Sequence, residues 1–358
     1  MDVAVAALDP LAGVALDYGD PQAEYEAVRN SAGVVDRDDL AVIVVSGRDP
    51  VRMIHGLITN DLAQASADRA VYAGMLTAKG RTIAEIRAYK VAKEGTTEVW
   101  MDLPREVLQP TGDHFRRFLP PLYARWRDAS ESLALLGVYG PRSRELLGAV
   151  FTGLPDRLAE DEVAVVELEG SPIRLVGTRY AGGEVGFDLL LERRLRDSLR
   201  DRLLHAGDGW ARRVGFGALE VLRIEAGRPR GGRELTEEVI PTEAFEAIGA
   251  MERAISFTKG CYTGQEVIVR IAHRGHVNRH LRGLVSLSGT QLSPGDRLFH
   301  PETGKDIGWI TSAAESPRVG APVALGFVRR ELTPGERVRV GASDGGEARV
   351  TELPFTAE

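Results

Sequence analysis

The first third of the chain contains short apolar runs separated by polar turns. Between some of them lie segments that begin with a helix cap and a proline. Such runs predict strands alternating with helices. The predicted elements are, in order, a helix from Asp20-Pro21 to near Gly33, a strand at 41–46, a helix from Asp49-Pro50 to about Asp61, strands at 71–77 and 81–91, a strand at 98–103 and a helical stretch up to Leu119. The strands VYAGMLT and RTIAEIRAYKV meet at Ala78-Lys79-Gly80, which predicts a β-hairpin.

One strand–turn–helix pattern occurs twice. LALLGVYGPRSRELLGAV at 133–150 resembles VIVVSGRDPVRMIHGLI at 42–58: each is an apolar strand, a glycine turn and a helix that opens with proline. The repetition indicates two related α+β units. The second unit continues with predicted strands at 173–177 and 185–191, a charged helix from Glu192 to about Ala206 and a helix at 217–226.

From His280 onward, short strands alternate with glycine- and proline-containing turns. This pattern of short strands and turns predicts an all-β module, which we expect to be a small barrel. The fold class is therefore α+β, with two related α+β units followed by a C-terminal small β-barrel. We expect domain limits at 1–130, 131–279 and 280–358.

Composition narrows the possible functions. The formal net charge of -7 argues against nonspecific nucleic-acid binding driven by bulk charge, although it allows a local basic patch. One cysteine forms no internal disulfide and by itself holds neither a zinc ion nor an iron–sulfur cluster, so a reducing compartment is expected. The N-terminus lacks the basic start of a secretory signal, and no apolar run is long enough to span a membrane. We expect a cytoplasmic protein with no membrane partner.

That single cysteine lies in KGCYTGQE, residues 259–266. Thr263 and Glu266 have capping-box spacing, so a helix is predicted to start at Thr263 with Cys261 two residues before it. The positive end of that helix, together with Lys259 and Arg270, favours a thiolate. Free cysteines are otherwise buried and inert, so the pattern leaves open whether Cys261 is reactive or packing material.

The same segment resembles the signature of the YgfZ-type folate-binding proteins. These are related to the glycine-cleavage T-protein, the tetrahydrofolate-dependent aminomethyltransferase. Four further stretches occur in the family's order and extend the resemblance over nearly the whole chain: YAGMLTAKG at 72–80, GGEVGFDLLL at 182–191, LRIEAGRPRGGREL at 222–235, and GWITSAAESP at 308–317 followed by ALGFV. The resemblance implies a T-protein-like folate-binding arrangement of the two α+β units.

One departure from the T-protein pattern bears on function. T-proteins carry two adjacent aspartates on the strand after the hairpin, whereas the aligned pair here is Ala84-Glu85. Thr77 replaces the asparagine common at the end of the hairpin. Loss of the short carboxylate removes the proton-handling group at the one-carbon centre, which argues against glycine cleavage. The resemblance then implies a folate-binding auxiliary protein that supports iron–sulfur cluster assembly or repair in client enzymes, including enzymes that modify tRNA.

Site residues follow from the same resemblance. Glu184 matches the position that accepts two hydrogen bonds from a pterin, and Tyr72 and Met75 match hairpin positions that pack against it. Arg223 matches an arginine suited to the anionic glutamyl tail, and Arg228 begins a basic cluster with Arg230 and Arg233. Without the resemblance, these residues have ordinary interpretations: a strand-end glutamate, core side chains and a solvated charged loop. The expected ligand is tetrahydrofolate or a one-carbon derivative.

Three functional hypotheses remain open. In the first, Cys261, with Lys259 beside it, serves the auxiliary protein as a transient cluster ligand or as a redox-sensitive thiol. In the second, the protein is a folate-dependent aminomethyltransferase or demethylase that uses Glu85 in place of aspartate. In the third, it is an interaction module with a vestigial folate pocket.

The stretch HRGHVNRH contains three histidines within eight residues, His273, His276 and His280. Gly275 interrupts the helical spacing that a zinc helix needs, so no metal site is expected. Nearby arginines form a basic stretch that could receive an acidic partner or tRNA: Arg270, Arg274, Arg279 and Arg282. No aromatic residue is interleaved with them, which gives little support for direct RNA readout.

Overall fold

The computed structural model of the chain describes residues 13–182, 186–246, 249–287 and 289–356. Within these ranges the strands form a five-stranded sheet, a six-stranded sheet and a closed barrel. The strands of the two sheets are, in chain order, β1 (Ala32–Asp36), β2 (Leu40–Gly47), β3 (Val71–Leu76), β4 (Thr82–Lys93), β5 (Thr96–Pro104), β6 (Ala124–Asp128), β7 (Leu133–Tyr139), β8 (Val163–Leu168), β9 (Ser171–Thr178), β10 (Gly186–Glu192) and β11 (Ala211–Arg213).

Helices lie around the sheets and connect them to the barrel. The α-helices are α1 (Pro21–Asn30), α2 (Pro50–His55), α3 (Leu108–Phe118), α4 (Ser143–Gly148), α5 (Arg193–Ala206), α6 (Phe216–Glu225), α7 (Pro241–Phe245), α8 (Met251–Ala254) and α9 (Gln265–Arg274). A 3-10 turn at Arg105–Val107 precedes α3. Among the helices in the described ranges, none combines the length and the apolar composition that crossing a lipid bilayer requires.

The five-stranded sheet has the order β3-β4-β5-β2-β6, and the six-stranded sheet has the order β11-β1-β7-β10-β9-β8. Strand β2, LAVIVVSG, is buried along its first six residues because its two faces enter different cores. Ile43 and Val45 pack among residues of their own sheet, whereas Val42 and Val44 pack in a cluster that contains Leu135 and Leu190 of the other sheet. The two sheets therefore share an apolar interface that contains alternate residues of β2.

The barrel is formed by β12 (Arg279–Leu287), β13 (Arg297–Phe299), β14 (Asp306–Ser316), β15 (Ala321–Arg329), β16 (Arg337–Val340) and β17 (Gly346–Thr351). It closes because β12 pairs with both β15 and β17. Helix α6 joins the barrel to the sheets through a core that contains Leu219 of the helix and Phe327 of the barrel. The predicted α+β class with a C-terminal small barrel is confirmed.

The predicted hairpin is also confirmed. Strands β3 and β4 pair antiparallel, and Gly80 at the turn has φ +72°. A side chain at Gly80 would be strained by this left-handed backbone, and its Cβ would lie 2.8 Å from Val267 of α9. The hairpin tip is therefore packed against the helix that follows the Cys261 segment.

Two helix boundaries differ from the prediction. The helix that starts at Pro50 ends at His55 rather than near Asp61, because Leu57, Ile58 and Leu62 leave the helical path to enter the core. Helix α9 starts at Gln265, and its N-cap is Gly264 with φ +82°, so the predicted capping box at Thr263 does not form. A Cβ at Gly264 would lie 2.6 Å from the Thr77 carbonyl oxygen, so tertiary packing against the hairpin selects this glycine turn.

The structure also contains a strand that the sequence patterns did not indicate. Residues 32–36, where the first helix was expected to end, form β1. Strand β1 lies within the first 130 residues, yet it pairs with β7 and β11 in the six-stranded sheet. The N-terminal part of the chain therefore contributes to both sheets.

Candidate functional site

A cavity opens where the two sheets meet the segment that follows α6. It encloses about 660 Å³, its open mouth included. Its wall combines residues of β4 and β5 with Thr178 of β9, Tyr180 and the segment 228–230. The walls come from distant parts of the chain, so only the packed fold creates this cavity.

The carboxylate of Glu85, near the start of β4, lies in the cavity wall. Its neighbours Ala84 and Ile86 are buried in the core of the five-stranded sheet. The Tyr72 hydroxyl donates to Glu85 Oε2 at 2.6 Å, and the backbone N–H of Gly231 donates to Oε1 at 3.1 Å. Burial raises the pKa of Glu85, and these two hydrogen bonds oppose the shift. The group is thus a carboxyl held at a fixed position with a weakened acidity.

Tyr72 and Arg253 form an adjoining part of the wall. The Arg253 guanidinium lies 4.3 Å from the centre of the Tyr72 ring and donates two hydrogen bonds to Asp161, at 2.6 and 2.8 Å. Burial, followed by the negative charge of Glu85, raises the pKa of Tyr72 well above its ordinary value. Tyr72 is therefore a neutral hydroxyl at all physiological pH values and acts as the donor to Glu85.

A second ion cluster neighbours Tyr72. Arg228 donates to Glu160 at 2.6 Å, and Arg253 contacts the same carboxylate at 3.2 Å. The Arg228 and Arg253 side chains remain partly exposed. Both guanidiniums line the cavity and carry partners that an incoming anion could replace.

Buried ion pairs line the cavity where the sheets meet. Arg87 on β4 donates to both oxygens of Asp102 on β5, each at 3.1 Å, and contacts Asp188 on β10 at 2.8 Å. Arg37 pairs with Asp39 at 2.8 Å in the same region. Since Asp102 belongs to one sheet and Asp188 to the other, Arg87 bridges the two sheets directly beneath the cavity. Arg87 lies two residues from Glu85 on the same strand, and both line the cavity.

The structure brings three of the predicted site residues to this cavity: Tyr72, Glu85 and Arg228. Met75 is fully buried in the core of the five-stranded sheet and is not part of the cavity wall, because residues three apart on a strand point to opposite faces. Arg223 is also fully buried: it donates to Glu220 at 2.7 Å, to Glu234 at 2.9 Å and to Ser312 of the barrel at 2.8 Å. Glu184 lies outside the described residues.

The Cys261 segment is separate from the cavity wall. Cys261 is exposed, whereas Lys259 and Tyr262 on either side are 7% and 6% exposed. The Lys259 ammonium donates to three backbone carbonyl oxygens at and just beyond the end of α2, those of His55, Ile58 at 2.7 Å and Asn60 at 3.0 Å. Burial lowers the pKa of Lys259 to about 8. The predicted catalytic role of Lys259 stays a prediction, and its observed contacts anchor the turn that presents Cys261.

Sequence patterns did not identify several residues of the cavity. Tyr180 follows β9 just before a glycine pair, and Arg253 lies on the short helix α8. An aromatic residue beside a turn was the only local signal for Tyr180, and no motif marks Arg253 or Arg87. Asp188 lies within the stretch GGEVGFDLLL but was not identified as a site residue. These residues reach the cavity through pairing between strands and helices that are far apart in the chain.

Comparison with known proteins connects this architecture to a family. The GCVT N-terminal domain profile matches residues 18–259, and the glycine cleavage T-protein C-terminal barrel domain profile matches residues 279–356. The crystal structure of the glycine cleavage system aminomethyltransferase T from Bartonella henselae superposes with a TM-score of 0.81 at 22% identity, over 98% of this chain and 94% of that chain. At that identity the superposition establishes the shared fold.

Sequence relatives extend over almost the same length. An aminomethyltransferase from Rubrobacter xylanophilus is 31% identical over 343 residues, covering 95% of this chain and 87% of that protein. An aminomethyltransferase from Thermotoga neapolitana is 27% identical, covering 93% of this chain and 88% of that protein. These relatives support the enzyme hypothesis more than the auxiliary-protein hypothesis, and the family implies tetrahydrofolate binding. The profile matches, the fold and the relatives agree, and the chain belongs to the glycine-cleavage T-protein family.

Proposed function

We propose that this protein binds a reduced folate in the cavity between its sheets and transfers a one-carbon unit with Glu85 as the acid–base group. The observation that carries the proposal is the Glu85 carboxyl in the cavity wall, held by Tyr72 and Gly231. Aminomethyltransferase relatives of nearly full length support the same class of reaction. In this proposal Glu85 takes the place of the usual aspartate on β4. The carboxyl group is kept at that position, although the residue type differs.

The chemistry of one-carbon transfer explains why a carboxyl group of this kind is suitable. A nitrogen that forms a new bond to carbon must lose a proton, and the amine that leaves must gain one. Burial has raised the pKa of Glu85, so its carboxylate is a better base than an exposed glutamate would be. The neutral Tyr72 hydroxyl holds Glu85 Oε2 and thereby orients the carboxyl group. Bound tetrahydrofolate would supply the nitrogen that accepts or releases the one-carbon unit.

The cavity has the side chains that a folate requires. Tyr72 and Tyr180 place aromatic rings in the wall, where they can contact a flat pterin. Arg228 and Arg253 supply cations for the anionic glutamyl tail, and both lie at the partly exposed ion cluster with Glu160. Glu184, which lies outside the described residues, remains the proposed acceptor for the pterin.

Glu85→Gln tests the proposal because it keeps the shape of the side chain and removes its proton transfer. Wild type and variant are assayed anaerobically for one-carbon transfer to tetrahydrofolate, with glycine-derived aminomethyl donors and with N-methylated amines. We expect turnover to fall by at least about 100-fold, while calorimetric binding of 5-formyl-tetrahydrofolate changes by less than about tenfold, or 1.4 kcal/mol.

Glu184→Ala provides the complementary variant for folate binding. Its expected effect is a loss of affinity for 5-formyl-tetrahydrofolate of more than about tenfold, with the fold retained by circular dichroism. Absence of turnover by wild type with every donor would exclude the enzyme while leaving folate binding measurable. If wild type does not bind folate at all, the cavity is vestigial and the interaction-module hypothesis replaces the proposal.

A second candidate function is supported by Cys261. The thiol is exposed on a turn whose Lys259 and Tyr262 are buried, and its motif KGCYTGQE resembles the YgfZ-type signature. In this hypothesis the protein binds folate and supports iron–sulfur cluster assembly or repair in client enzymes. A strain that lacks the gene should lose cluster-dependent enzyme activity, Glu85→Gln should restore it, and Cys261→Ala should not. Full restoration by Cys261→Ala would eliminate the role of the thiol.

A further inference from the structure

A second large concavity separates helix α9 from the barrel, and we call it the α9–barrel groove. It encloses about 1790 Å³, its open mouth included, and shares no wall residue with the cavity described above. Five arginines contributed by the hairpin, α9 and the barrel line it: Arg81, Arg270, Arg279, Arg297 and Arg329. The groove therefore concentrates positive charge on a chain whose formal net charge is -7.

Strand register places the barrel arginines on one face. Arg279 of β12 is directly opposite Arg329 of β15, and Arg297 of β13 is directly opposite Trp309 of β14. Trp309 in turn is opposite Phe327, which lies two residues before Arg329 and therefore on the same side. Like charges directly across two antiparallel strands destabilise the sheet. The facing pair Arg279–Arg329 therefore lowers the stability of the barrel. This indicates that the two arginines have a role other than folding.

The acidic residues of the groove compensate only part of this charge. Arg279 is bonded to Glu243 at 3.2 Å, and Arg297 is bonded to Asp306. The third acid in the wall, Glu331, contacts Arg330 at 3.7 Å. This leaves two cations: within the described residues, neither Arg270 nor Arg329 has a side-chain hydrogen bond or ion pair. The Arg81 guanidinium donates to the backbone carbonyl oxygen of Glu238, at 2.7 Å.

The barrel also supplies an aromatic ring that the basic stretch lacks in sequence. The guanidinium carbons of Arg279 and Arg297 lie 4.5 and 5.7 Å from the centre of the Trp309 ring. Stacking on an indole holds a guanidinium in place while its N–H groups still point outward. The groove therefore contains oriented arginines beside two arginines that have no partner in the described chain.

We propose that the α9–barrel groove binds a phosphate-bearing ligand, either a free nucleotide or the backbone of an RNA strand. Arginine forks match carboxylates and phosphates alike, but a carboxylate has only two acceptor oxygens and a single negative charge. Phosphate groups present more acceptor oxygens and, in a chain, repeated charges, so they can engage arginines from α9 and from two barrel strands together. This ligand would neutralise Arg270 and Arg329 at once.

The experiment measures binding to the full-length protein at low and moderate salt. The probes are inorganic pyrophosphate, ATP, a fluorescein-labelled single-stranded RNA and a poly-glutamate peptide. The variants are Arg329→Ala and Arg270→Ala. The matched control is Arg330→Ala, which removes the same charge from the exposed residue that follows β15 and does not line the groove. We expect each groove variant to weaken phosphate binding by about tenfold and the control by less than about twofold.

The salt dependence and the choice of probe separate the two sources of phosphate. For RNA, the slope of log affinity against log salt should become shallower by about one for each phosphate contact removed. Pyrophosphate and ATP binding as tightly as RNA would identify a free nucleotide, and binding of RNA alone would identify a nucleic-acid backbone. Poly-glutamate binding at least as tightly as both, equal losses in Arg330→Ala, or no binding of any phosphate probe would overturn the proposal.

Stability measurements distinguish a variant that loses binding from a variant that loses its fold. Removing Arg329 relieves its repulsion with Arg279, so Arg329→Ala should retain the circular dichroism spectrum and melting temperature of wild type. If that variant nevertheless fails to fold, Arg270→Ala carries the test, because Arg270 is exposed on α9 and contributes to no core. A loss of binding in Arg270→Ala with an unchanged melting temperature supports the groove directly.

Discussion

In the central cavity charged side chains are paired with one another, whereas in the Cys261 turn the Lys259 ammonium is paired with backbone carbonyl oxygens. Arg87 joins Asp102 and Asp188 beneath the cavity, and Arg253 joins Asp161 at its wall. Lys259 instead binds the carbonyls of His55, Ile58 and Asn60. The cavity thus uses charge to position functional groups, and the turn uses one charge to hold a backbone that exposes a thiol.

The cavity and the Cys261 turn also differ in how the two family profiles cover them. The cavity residues Tyr72, Glu85 and Arg253 lie within the matched range 18–259, while Cys261 and helix α9 lie between that range and the barrel match at 279–356. The cavity is therefore the part of the molecule that the family profile describes. Cys261 itself lies in the interval between the two matches, although its anchor Lys259 is the last residue of the first matched range.

The largest effect is expected from breaking the ion bridge beneath the cavity. Arg87→Met leaves Asp102 and Asp188 buried without their shared cation, so the free energy of unfolding should fall by about 4 kcal/mol. Urea denaturation measures this change. The control is Arg337→Met on the barrel, an arginine whose side chain is 67% exposed and which pairs with Glu347; its change should stay below about 0.5 kcal/mol. Equal midpoints for the two variants would show that the bridge does not hold the sheets together.

A smaller loss is expected when the anchor of the Cys261 turn is removed. Lys259→Met leaves three carbonyl oxygens, one of them fully buried, without their donor, which should lower the free energy of unfolding by about 3 kcal/mol. Lys79→Met at the exposed hairpin tip is the matched control and should be neutral. Comparable stability of both variants would mean that water replaces the ammonium and that the turn needs no buried charge.

The pH dependence of stability distinguishes Glu85 from a carboxylate that is stabilised by an ion pair. Its folded-state pKa lies above the ordinary value of 4.5, so the folded state retains a proton that the unfolded state releases. Stability is therefore lost as pH rises from about 4.5 through the raised pKa, by at most about 1.4 kcal/mol per pH unit for one proton. Relative to wild type, Glu85→Gln should gain stability over this range in urea titrations at stepped pH. Parallel profiles for the two proteins would contradict the raised pKa.

The smallest effect on stability is expected at the thiol itself. Cys261 is exposed, so Cys261→Ser should change the free energy of unfolding by less than about 0.5 kcal/mol. The native protein should also react with a thiol reagent to a stoichiometry of 1, since the chain has one cysteine. Reaction only after denaturation would show that the thiol is covered in solution.

Periodicity predicted the fold well wherever an element has a strong local signal. The run at β2, the β3–β4 hairpin and the strand texture of the barrel are all present, because alternating or continuous apolar residues have few other ways to be buried. Strand β1 was missed because AGVVD is only five residues long and directly follows a helix. The capping box at Thr263 was wrong because contact with the hairpin favours the left-handed turn at Gly264 over a local side-chain cap.

The candidate site was predictable only in part. Tyr72 and Glu85 were identified by resemblance on the hairpin, and both reach the cavity. Arg223 was expected to reach the anionic tail of folate, but its guanidinium is enclosed by Glu220, Glu234 and Ser312. Tyr180 and Arg253 carry no local motif, and the stretch that contains Asp188 did not mark it as a site residue, so their place in the wall depends on the packing of distant segments.

The sequence by itself determined the α+β class, the hairpin, the barrel and the exclusion of an internal disulfide. These properties follow from short-range periodicity, turn residues and the cysteine count, which act within a few residues along the chain. Only the tertiary structure decided that Glu85 faces a cavity, that Lys259 is an anchor, and that Trp309 lies among the arginines of the α9–barrel groove. Burial and charge pairing depend on which distant segments pack together, and no local pattern specifies that packing.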